Sequence, residues 1–167
     1  MCRKALIGLG SSMGDRAARL ALAVKLIDAD PETEVVASSA LWLNKPIGAA
    51  RGAFLNGAVA VRTTHSARGM LALCKAIERR LGRHPSARWS DRPIDVDLLM
   101  VDGLIRRGGG LTLPHAAMLE RPFVMVPAVE VGGDMVHPVA QKPLRSLMCA
   151  EAPALIAHGR LPQPLAS

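Results

Sequence analysis

The order of apolar segments in the first hundred residues is the strongest constraint on the fold of this chain. Four short runs of apolar or β-branched residues are typical of buried strands, and two longer stretches repeat apolar residues at helical spacing. Each helical stretch follows a residue type that favours a helix N-cap, Asp15 and Ser66. We therefore predict strands at residues 4–10, 34–43, 54–63 and 93–101, and helices at 16–30 and 67–81.

The resulting order, β-α-β-β-α-β, is the ferredoxin-like pattern. We expect an α+β sandwich of this type in a single domain over residues 1–167, since neither an internal repeat nor a linker divides the chain. The dipeptide Asp102-Gly103 predicts a tight turn and an added hairpin between the fourth strand and residues 104–106. C-terminal helices are expected at 121–131 and 144–151, followed by a loose tail from about residue 153.

Charge and cysteine content narrow the class of partner and the compartment. The formal net charge of +7 favours an anionic partner, which leaves nucleic acid, phosphate and nucleotide open. No apolar run approaches the roughly 18 residues of a membrane span, and no secretory signal is recognisable. The cysteines are 3 in number, widely spaced and without a CxxC pair, which argues against a disulfide framework or a zinc site. We therefore expect a cytoplasmic protein without a membrane partner.

Two aspartates on the fourth predicted strand form the first candidate site. Asp95 and Asp97 are two residues apart, so both carboxylates point to one face, while Ile94, Val96 and Leu98 point to the core. Carboxylates about 7 Å apart along a strand repel each other. A Mg²⁺ ion that also binds phosphate oxygens would relieve this repulsion. The alternative is a solvated strand face with two surface aspartates.

A basic loop immediately precedes these aspartates. Arg79 and Arg80 fall in the last turn of the second helix, where they complement its dipole. Arg83, Arg88 and Arg92 lie in the loop itself, beside Gly, Pro and Ser residues. Phosphoryl transfer requires cations around a polyanion, because its catalysis consists mainly of positioning and charge stabilisation. We interpret this segment as a mobile lid over a nucleotide, in preference to an ordinary solvated loop.

The glycine-rich segment GLGSSMGD at residues 8–15 is interpreted as a tight turn between the first strand and the first helix. A phosphate-binding turn would occupy the same place. However, the segment lacks both the lysine of a P-loop and the GxGxxG spacing. The phosphate site is therefore the less favoured alternative.

Aromatic residues are scarce, with 2 Trp, 2 Phe and no Tyr. Phe54 lies near Asn56, and Phe123 follows Arg121. A ring beside a polar side chain can stack on a planar heterocycle while the polar group reads its edge. Packing in the core is an equally good reading of these two rings. Trp42 is assigned to packing near the end of the second strand.

Three motifs together resemble one known family. The combination of Arg92-Pro-Ile-Asp95-Val-Asp97-Leu-Leu with Leu113-Pro-His115 and Arg121-Pro-Phe123 is similar to the 6-hydroxymethyl-7,8-dihydropterin pyrophosphokinases of folate biosynthesis. The resemblance runs from about residue 4 to residue 151. It implies a ferredoxin-like fold and transfer of pyrophosphate from ATP to the hydroxymethyl group of the pterin, which gives AMP. ATP would be the co-substrate, with two Mg²⁺ ions on its phosphates.

The resemblance also implies a role for each candidate residue. Asp95 and Asp97 resemble the metal ligands, and Arg83 and Arg92 resemble the arginines that stabilise the transferring group. The resemblance implies that Phe54, Phe123 and Asn56 contact the pterin and that Arg121 lies near the substrates. Trp89 resembles the ring that closes together with the loop. The residues implied to contact the nucleotide are Glu78, Thr112 and His115.

The chain departs from the family pattern at several positions. Ser12 stands where asparagine is common, and the loop around His84 looks one residue shorter. Gly110, Ala116 and Lys75 replace an arginine, an aromatic and a polar neutral residue near the nucleotide. These changes put the affinity for nucleotide and the closure of the loop in doubt, but not the two aspartates.

Two other hypotheses are weighed against this one. A basic RNA-binding module of the same shape would need aromatic residues on its sheet, and the predicted strands carry almost none. An inactive relative that only binds its ligand is disfavoured by the complete Asp95 and Asp97 pair. We therefore expect small-molecule substrates, no nucleic-acid partner, and a monomer.

Overall fold

The computed structural model describes residues 1–45, 51–84, 90–148 and 155–164. In this part of the chain, an antiparallel sheet of 6 strands is accompanied by a separate two-stranded ribbon. The strands are β1 (Arg3–Ser11), β2 (Thr33–Ser38), β3 (Ala40–Asn44), β4 (Phe54–Thr63), β5 (Asp95–Val101), β6 (Val136–His137), β7 (Lys142–Pro143) and β8 (Ile156–Arg160); the helices are α1 (Arg16–Asp28), α2 (Ala67–Arg80), α3 (Pro122–Gly132) and a 3-10 turn at Leu144–Ser146.

Strands β1 and β4 form the centre of the sheet. The strand order is β5-β1-β4-β3-β8, and β2 also pairs with β4. All these pairings are antiparallel. The register places Asn56 of β4 and Asp95 of β5 on either side of Gly10 of β1. Residues from three strands therefore meet at the end of β1.

The two faces of the sheet are covered by different helices. Alternate strand residues such as Ile7 and Leu98 pack with the buried residues of α1 and α2 in one core cluster. Residues of the opposite face, including Leu6 and Leu99, pack with Met125 of α3 in a second cluster. This alternation is the period-two pattern of strands with both faces covered. Among the described residues, no helix is long and apolar enough to cross a membrane.

The predicted caps and most of the predicted elements are confirmed. Asp15 Oδ1 accepts a hydrogen bond from Ala18 N at 3.0 Å, and Ser66 Oγ accepts one from Gly69 N at 3.1 Å. These side chains satisfy amide groups that have no partner within the first turn of a helix. The strand predicted at 54–63 has the predicted bounds, and the helix predicted at 121–131 is α3.

The second predicted strand, 34–43, is divided into β2 and β3 at Ser39. The buried Ser39 side chain accepts a hydrogen bond from Ala58 N at 2.9 Å and donates one to Ala40 O at 2.7 Å. A side chain thus takes part in the pairing with β4 where a regular strand would use only its backbone. This bulge-like interruption divides the strand without moving it from its neighbour.

The prediction of an added hairpin with the fourth strand is wrong. The turn at Asp102-Gly103 forms, but Arg106 pairs with Leu113 through two backbone hydrogen bonds of 2.9 Å. Gly108, Gly109 and Gly110 all have positive φ, which lets the chain fold back on itself between these two residues. On β5, Leu99 O accepts instead from His115 N at 2.7 Å.

The end of the chain also differs from its prediction. In place of a helix at 144–151, the described residues show only the 3-10 turn; residues 149–151 lie outside the described part. The tail predicted to be loose contains β8, which pairs with β3, and Leu161 is buried. Gly57 provides room for this leucine, since a Cβ at Gly57 would lie 2.8 Å from Leu161 Cδ1.

Candidate active site

A cavity of about 410 Å³ opens on the α3 side of the sheet, above the ends of β1, β4 and β5. Strand residues form its floor, α3 and residues 115–117 form one side, and Arg83 and Arg92 lie at its edge. Nine of the residues singled out in the sequence line it: Phe54, Asn56, Arg83, Arg92, Asp95, Asp97, His115, Arg121 and Phe123.

Two glycines of β1 keep the floor of the cavity open. Gly8 and Gly10 are two residues apart on the same face of the strand and both line the cavity. A Cβ at Gly10 would lie 3.4 Å from Asn56 Oδ1 and 3.8 Å from both Asp95 Cβ and Phe54 Cδ1. The absence of a side chain at Gly10 therefore leaves these three groups around one common space.

Asp95 and Asp97, here called the acidic edge, face this space from β5. Burial raises the pKa of Asp95, and the charge of Asp97 raises it further, whereas Arg83 and Arg92 lower it. Among the described residues, no cluster of three or more His, Cys, Asp or Glu side chains surrounds a possible ion. The protein thus offers two carboxylates, and a cation held there would complete its coordination with ligand oxygens and water.

Two arginines neutralise the acidic edge. Asp95 Oδ1 accepts from Arg83 at 2.5 Å and from Arg92 at 3.2 Å. Arg83 also contacts the carboxylate of Glu78, which is only 3% exposed. Glu78 in turn accepts from Val96 N at 2.8 Å, so it ties the arginine to the backbone of β5.

His115 enters the cavity from the segment that covers the edge of β5. Burial lowers its pKa, and the charges of Arg121 and Lys75 lower it further, while Asp97 opposes them. The lowered pKa favours the neutral imidazole, whose Nδ1 accepts a hydrogen bond from Ala117 N at 3.3 Å. Lys75 pairs with Glu78 at 2.9 Å.

The side of the cavity that lies away from the acidic edge is neutral and aromatic. Phe54 begins β4 and Phe123 lies in the first turn of α3, and both rings line the cavity. Between strands β3 and β4, the side chains of Asn44 and Asn56 are hydrogen-bonded to each other. We call these two asparagines the amide wall. An aromatic and amide-lined space suits a planar heterocycle with polar edges.

A group of hydrogen bonds joins the loops behind the cavity. Arg92 N donates to Ser12 Oγ at 3.0 Å, and Ser12 N donates to Arg92 O at 3.1 Å. Asp91 accepts from Arg51 N and Gly52 N, both at 3.0 Å. These two backbone donors lower the pKa of Asp91. The segment that leads into Phe54 is thereby tied to the segment that carries Arg92.

The sequence of this chain also matches a known protein family. Residues 6–133 match the family model of 7,8-dihydro-6-hydroxymethylpterin-pyrophosphokinase (HPPK). The chain belongs to the HPPK family. The resemblance read from the Arg92–Asp97 motif and the two proline motifs is thus confirmed.

Named relatives agree with this assignment. The chain is 43% identical over 134 residues to the 2-amino-4-hydroxy-6-hydroxymethyldihydropteridine pyrophosphokinase of Methylorubrum extorquens, which covers 80% of this chain and 85% of that protein. It is 30% identical over 140 residues to the enzyme of the same name from Aquifex aeolicus, covering 83% and 86%. A solved structure of Plasmodium falciparum HPPK-DHPS with pteroate shares the fold, with a TM-score of 0.67 at 14% identity, and covers 88% of this chain and 42% of that one.

Not every residue predicted from the HPPK resemblance reaches the cavity. Glu78 is buried beneath the acidic edge and touches it only through Arg83. Thr112 is exposed and is not among the lining residues. Arg88 and Trp89 lie outside the described residues. Trp42, assigned to packing, donates from Nε1 to Glu130 Oε1 at 2.5 Å and so joins β3 to α3.

Sequence reasoning missed four residues of this HPPK site. Gly8 and Gly10 were placed at the end of the first predicted strand and in the turn segment that follows, but their spacing of two was not recognised as a signal for an open strand face. Asn44 and Asp91 gave no signal in the sequence, since their importance depends on which segments lie beside them in the fold.

Proposed function

We propose that this cavity transfers pyrophosphate from ATP to 6-hydroxymethyl-7,8-dihydropterin, as an enzyme of folate biosynthesis. The activity follows from membership of the HPPK family and from relatives that bear this name over most of their length. The observation that carries the residue assignment is that one cavity is lined by both the acidic edge and the two phenylalanine rings. A polyanion and a heterocycle can therefore lie next to each other in it.

In the proposed reaction, the hydroxymethyl oxygen of the pterin bonds to the β-phosphorus of ATP. The bond from that phosphorus to the oxygen shared with the α-phosphate breaks, AMP leaves with that oxygen, and the proton of the hydroxyl group passes to water. The arrangement requires the hydroxymethyl group to point from the rings toward the acidic edge. Asn56 and Asp95, on either side of Gly10, are spaced for this orientation, since adjacent strands lie about 4.8 Å apart.

Asp95 and Asp97 are proposed to hold Mg²⁺, two ions in all, together with the phosphates of ATP. Two repelling carboxylates on one strand face fit a divalent cation, and the raised pKa of Asp95 reflects that repulsion and its burial. Bound magnesium would neutralise the charge of the phosphates and hold them in line.

Arg83 and Arg92 are proposed to stabilise the transferring group. Both now donate to Asp95. With Asp95 holding the metal, these guanidinium groups would be free to bind the phosphate oxygens with paired hydrogen bonds. Glu78 keeps Arg83 in place during this change, and His115 and Thr112 are proposed to contact the nucleotide.

Phe54 and Phe123 are proposed to stack on the two faces of the pterin, with Asn56 at its edge, Arg121 near the substrates and Trp89 on the closing loop. The fold that carries them is proposed to be ferredoxin-like in detail, because β5-β1-β4 with β2 and β3 gives the order that this pattern requires. We further propose a single-domain monomer that takes small molecules rather than nucleic acid, since the described rings in the site line a cavity instead of an exposed sheet.

The test is a product assay with purified protein, Mg-ATP and 6-hydroxymethyl-7,8-dihydropterin. We expect one AMP for each pterin diphosphate, and no AMP when the pterin is omitted. Formation of ADP would contradict attack at the β-phosphorus. A complete lack of turnover over a range of Mg²⁺ concentrations would contradict the proposed function as a whole.

A further inference from the structure

The amide wall is built from two interlocked side chains. Asn44 and Asn56 are 9% and 5% exposed. Asn56 Nδ2 donates to Asn44 Oδ1 and, at 3.3 Å, to Trp42 O. Asn44 Nδ2 donates to Lys45 O at 2.8 Å. Each amide nitrogen is therefore aimed at a backbone carbonyl.

These carbonyls fix the orientation of both amide groups in the series of hydrogen bonds. A backbone carbonyl only accepts, so each asparagine must present its NH₂ group to it. If the Asn56 amide turned over, its oxygen would face both Trp42 O and Asn44 Oδ1. If the Asn44 amide turned over, its oxygen would face Lys45 O. Both rearrangements replace a hydrogen bond by oxygen–oxygen repulsion.

This series of hydrogen bonds ends at Asn56 Oδ1, which faces the cavity. This oxygen lies 3.4 Å from the position that a Cβ at Gly10 would take, on the open floor. Within the described ranges, no protein donor is recorded for it. Because this oxygen faces an open cavity, a ligand that brings a donor to it forms a hydrogen bond there, whereas a ligand that brings a second acceptor meets oxygen–oxygen repulsion.

We propose that Asn44 is a positioning residue that sets the specificity of the heterocycle site. By holding the Asn56 amide with its oxygen toward the cavity, Asn44 makes the site select a ring edge that presents N–H there. This inference rests on the proposed function for the identity of the ring; a pterin carries such donors at its ring amide and its exocyclic amine. Without Asn44, only the longer contacts of Asn56 Nδ2 with Trp42 O at 3.3 Å and Phe54 O at 3.5 Å would, among the described residues, oppose rotation of the amide.

The experiment measures binding by calorimetry, with a non-hydrolysable ATP analogue present. The probes are 6-hydroxymethylpterin and two analogues, one methylated at the ring amide nitrogen and one dimethylated at the exocyclic amine. Wild-type protein is expected to bind at least one analogue about tenfold more weakly than the parent, the effect of one hydrogen bond. In Asn44→Leu this ratio is expected to fall several-fold, because the amide loses its shortest hydrogen bond and is then oriented only by its longer contacts with Trp42 O and Phe54 O.

Two control variants separate positioning from a general loss of structure. Asn44→Asp keeps an acceptor for Asn56 Nδ2 but turns its second oxygen toward Lys45 O, so it is expected to retain the wild-type ratio while its free energy of unfolding falls. Gln163→Leu removes a distant amide that likewise donates to backbone carbonyls, Ser38 O and Leu161 O, and is expected to change nothing. The KM for pterin should rise in Asn44→Leu while the KM for ATP does not.

Equal discrimination by wild type and Asn44→Leu would overturn the inference. So would its equal loss in Asn44→Leu and Asn44→Asp, because the acceptor would then be irrelevant. Failure of the wild-type protein to bind the unmodified pterin would instead overturn the proposed function, and this inference with it.

Discussion

The two ends of the cavity are held in different ways. At the acidic edge, Asp95 is neutralised by the side chains of Arg83 and Arg92, which come from the loop segments before β5. At the amide wall, Asn44 and Asn56 lie on paired strands and are oriented by backbone carbonyls. The first end is charged and can exchange partners, whereas the second is neutral and fixed.

This difference assigns a different task to each end. The arginines paired with Asp95 can exchange these ion pairs for hydrogen bonds to phosphate as charge moves during the reaction. The acidic edge is therefore suited to the chemical step. Amides locked by a sheet cannot rearrange without breaking hydrogen bonds, so the amide wall is suited to recognition. Variants at the acidic edge should therefore lower kcat, and variants near the amide wall should raise the KM for pterin.

The largest effect is expected for Asp97→Ala. Loss of one of two carboxylates would weaken the proposed metal site, and we expect kcat to fall about 10³-fold at ordinary magnesium concentrations. Steady-state AMP formation measures this. The matched control is Asp102→Ala, which removes an exposed carboxylate beyond the end of the same strand. Near-wild-type turnover at saturating magnesium would contradict the metal assignment.

Next in size is the effect of Arg92→Ala. Since the arginine is proposed to act on the transferring group, the single-turnover rate should fall about 10²-fold, with a smaller change in ATP affinity. Arg80→Ala, an exposed arginine at the end of α2, serves as the control. If the single-turnover rate is unchanged while ATP binding weakens, Arg92 belongs to ground-state binding instead.

Glu78→Gln tests how the acidic edge is anchored. The buried carboxylate accepts from Val96 N and pairs with Arg83 and Lys75. We expect its loss to lower the free energy of unfolding by about 2 kcal/mol, the value of charge-assisted hydrogen bonds to a buried group.

Glu34→Gln is the matched control for this change. It breaks only an exposed pair with Arg62, 3.8 Å apart, and surface pairs contribute little. Denaturant unfolding of both variants decides the matter. Equal stability of the two would show that Glu78 does not anchor the acidic edge.

The smallest effect, and the most selective, is expected for Gly10→Ala. The new methyl group would lie 3.4 Å from Asn56 Oδ1 without overlapping backbone. We expect the KM for pterin to rise about tenfold, because a donor can no longer approach that oxygen freely. The KM for ATP and the thermal midpoint should stay close to wild type. A matching rise in both KM values would erase the distinction between the two ends.

The acidic edge was predictable from the sequence because it depends on one segment. Alternation along a strand is local, so Asp95 and Asp97 were placed on one face correctly before any partner strand was known. The loop arginines and the two rings were also singled out locally, and the family motifs added the roles expected of them. The same reasoning gave the caps Asp15 and Ser66, which satisfy amides only a few residues away.

What could not be predicted depends on contacts between distant segments. Asn44 matters because Asn56 lies beside it, and Gly10 matters because β4 and β5 flank β1. The predicted hairpin was wrong because the partner of Arg106 proved to be Leu113 rather than β5. The apolar residues of the tail, such as Leu155, Ile156 and Leu161, do not alternate with polar residues as in a half-buried strand, so their pattern did not predict β8.

The position of β8 has a practical consequence for handling this protein. β8 pairs with β3 at Trp42 and Leu43, directly before Asn44. The last residue of β8, Arg160, pairs with Ala40, so an affinity tag or a fusion partner attached after β8 would act on the strand that carries Asn44 from its opposite end. Attachment at the amino terminus, next to the pairing of Arg3 with Thr63 at the far end of β1, leaves that strand undisturbed.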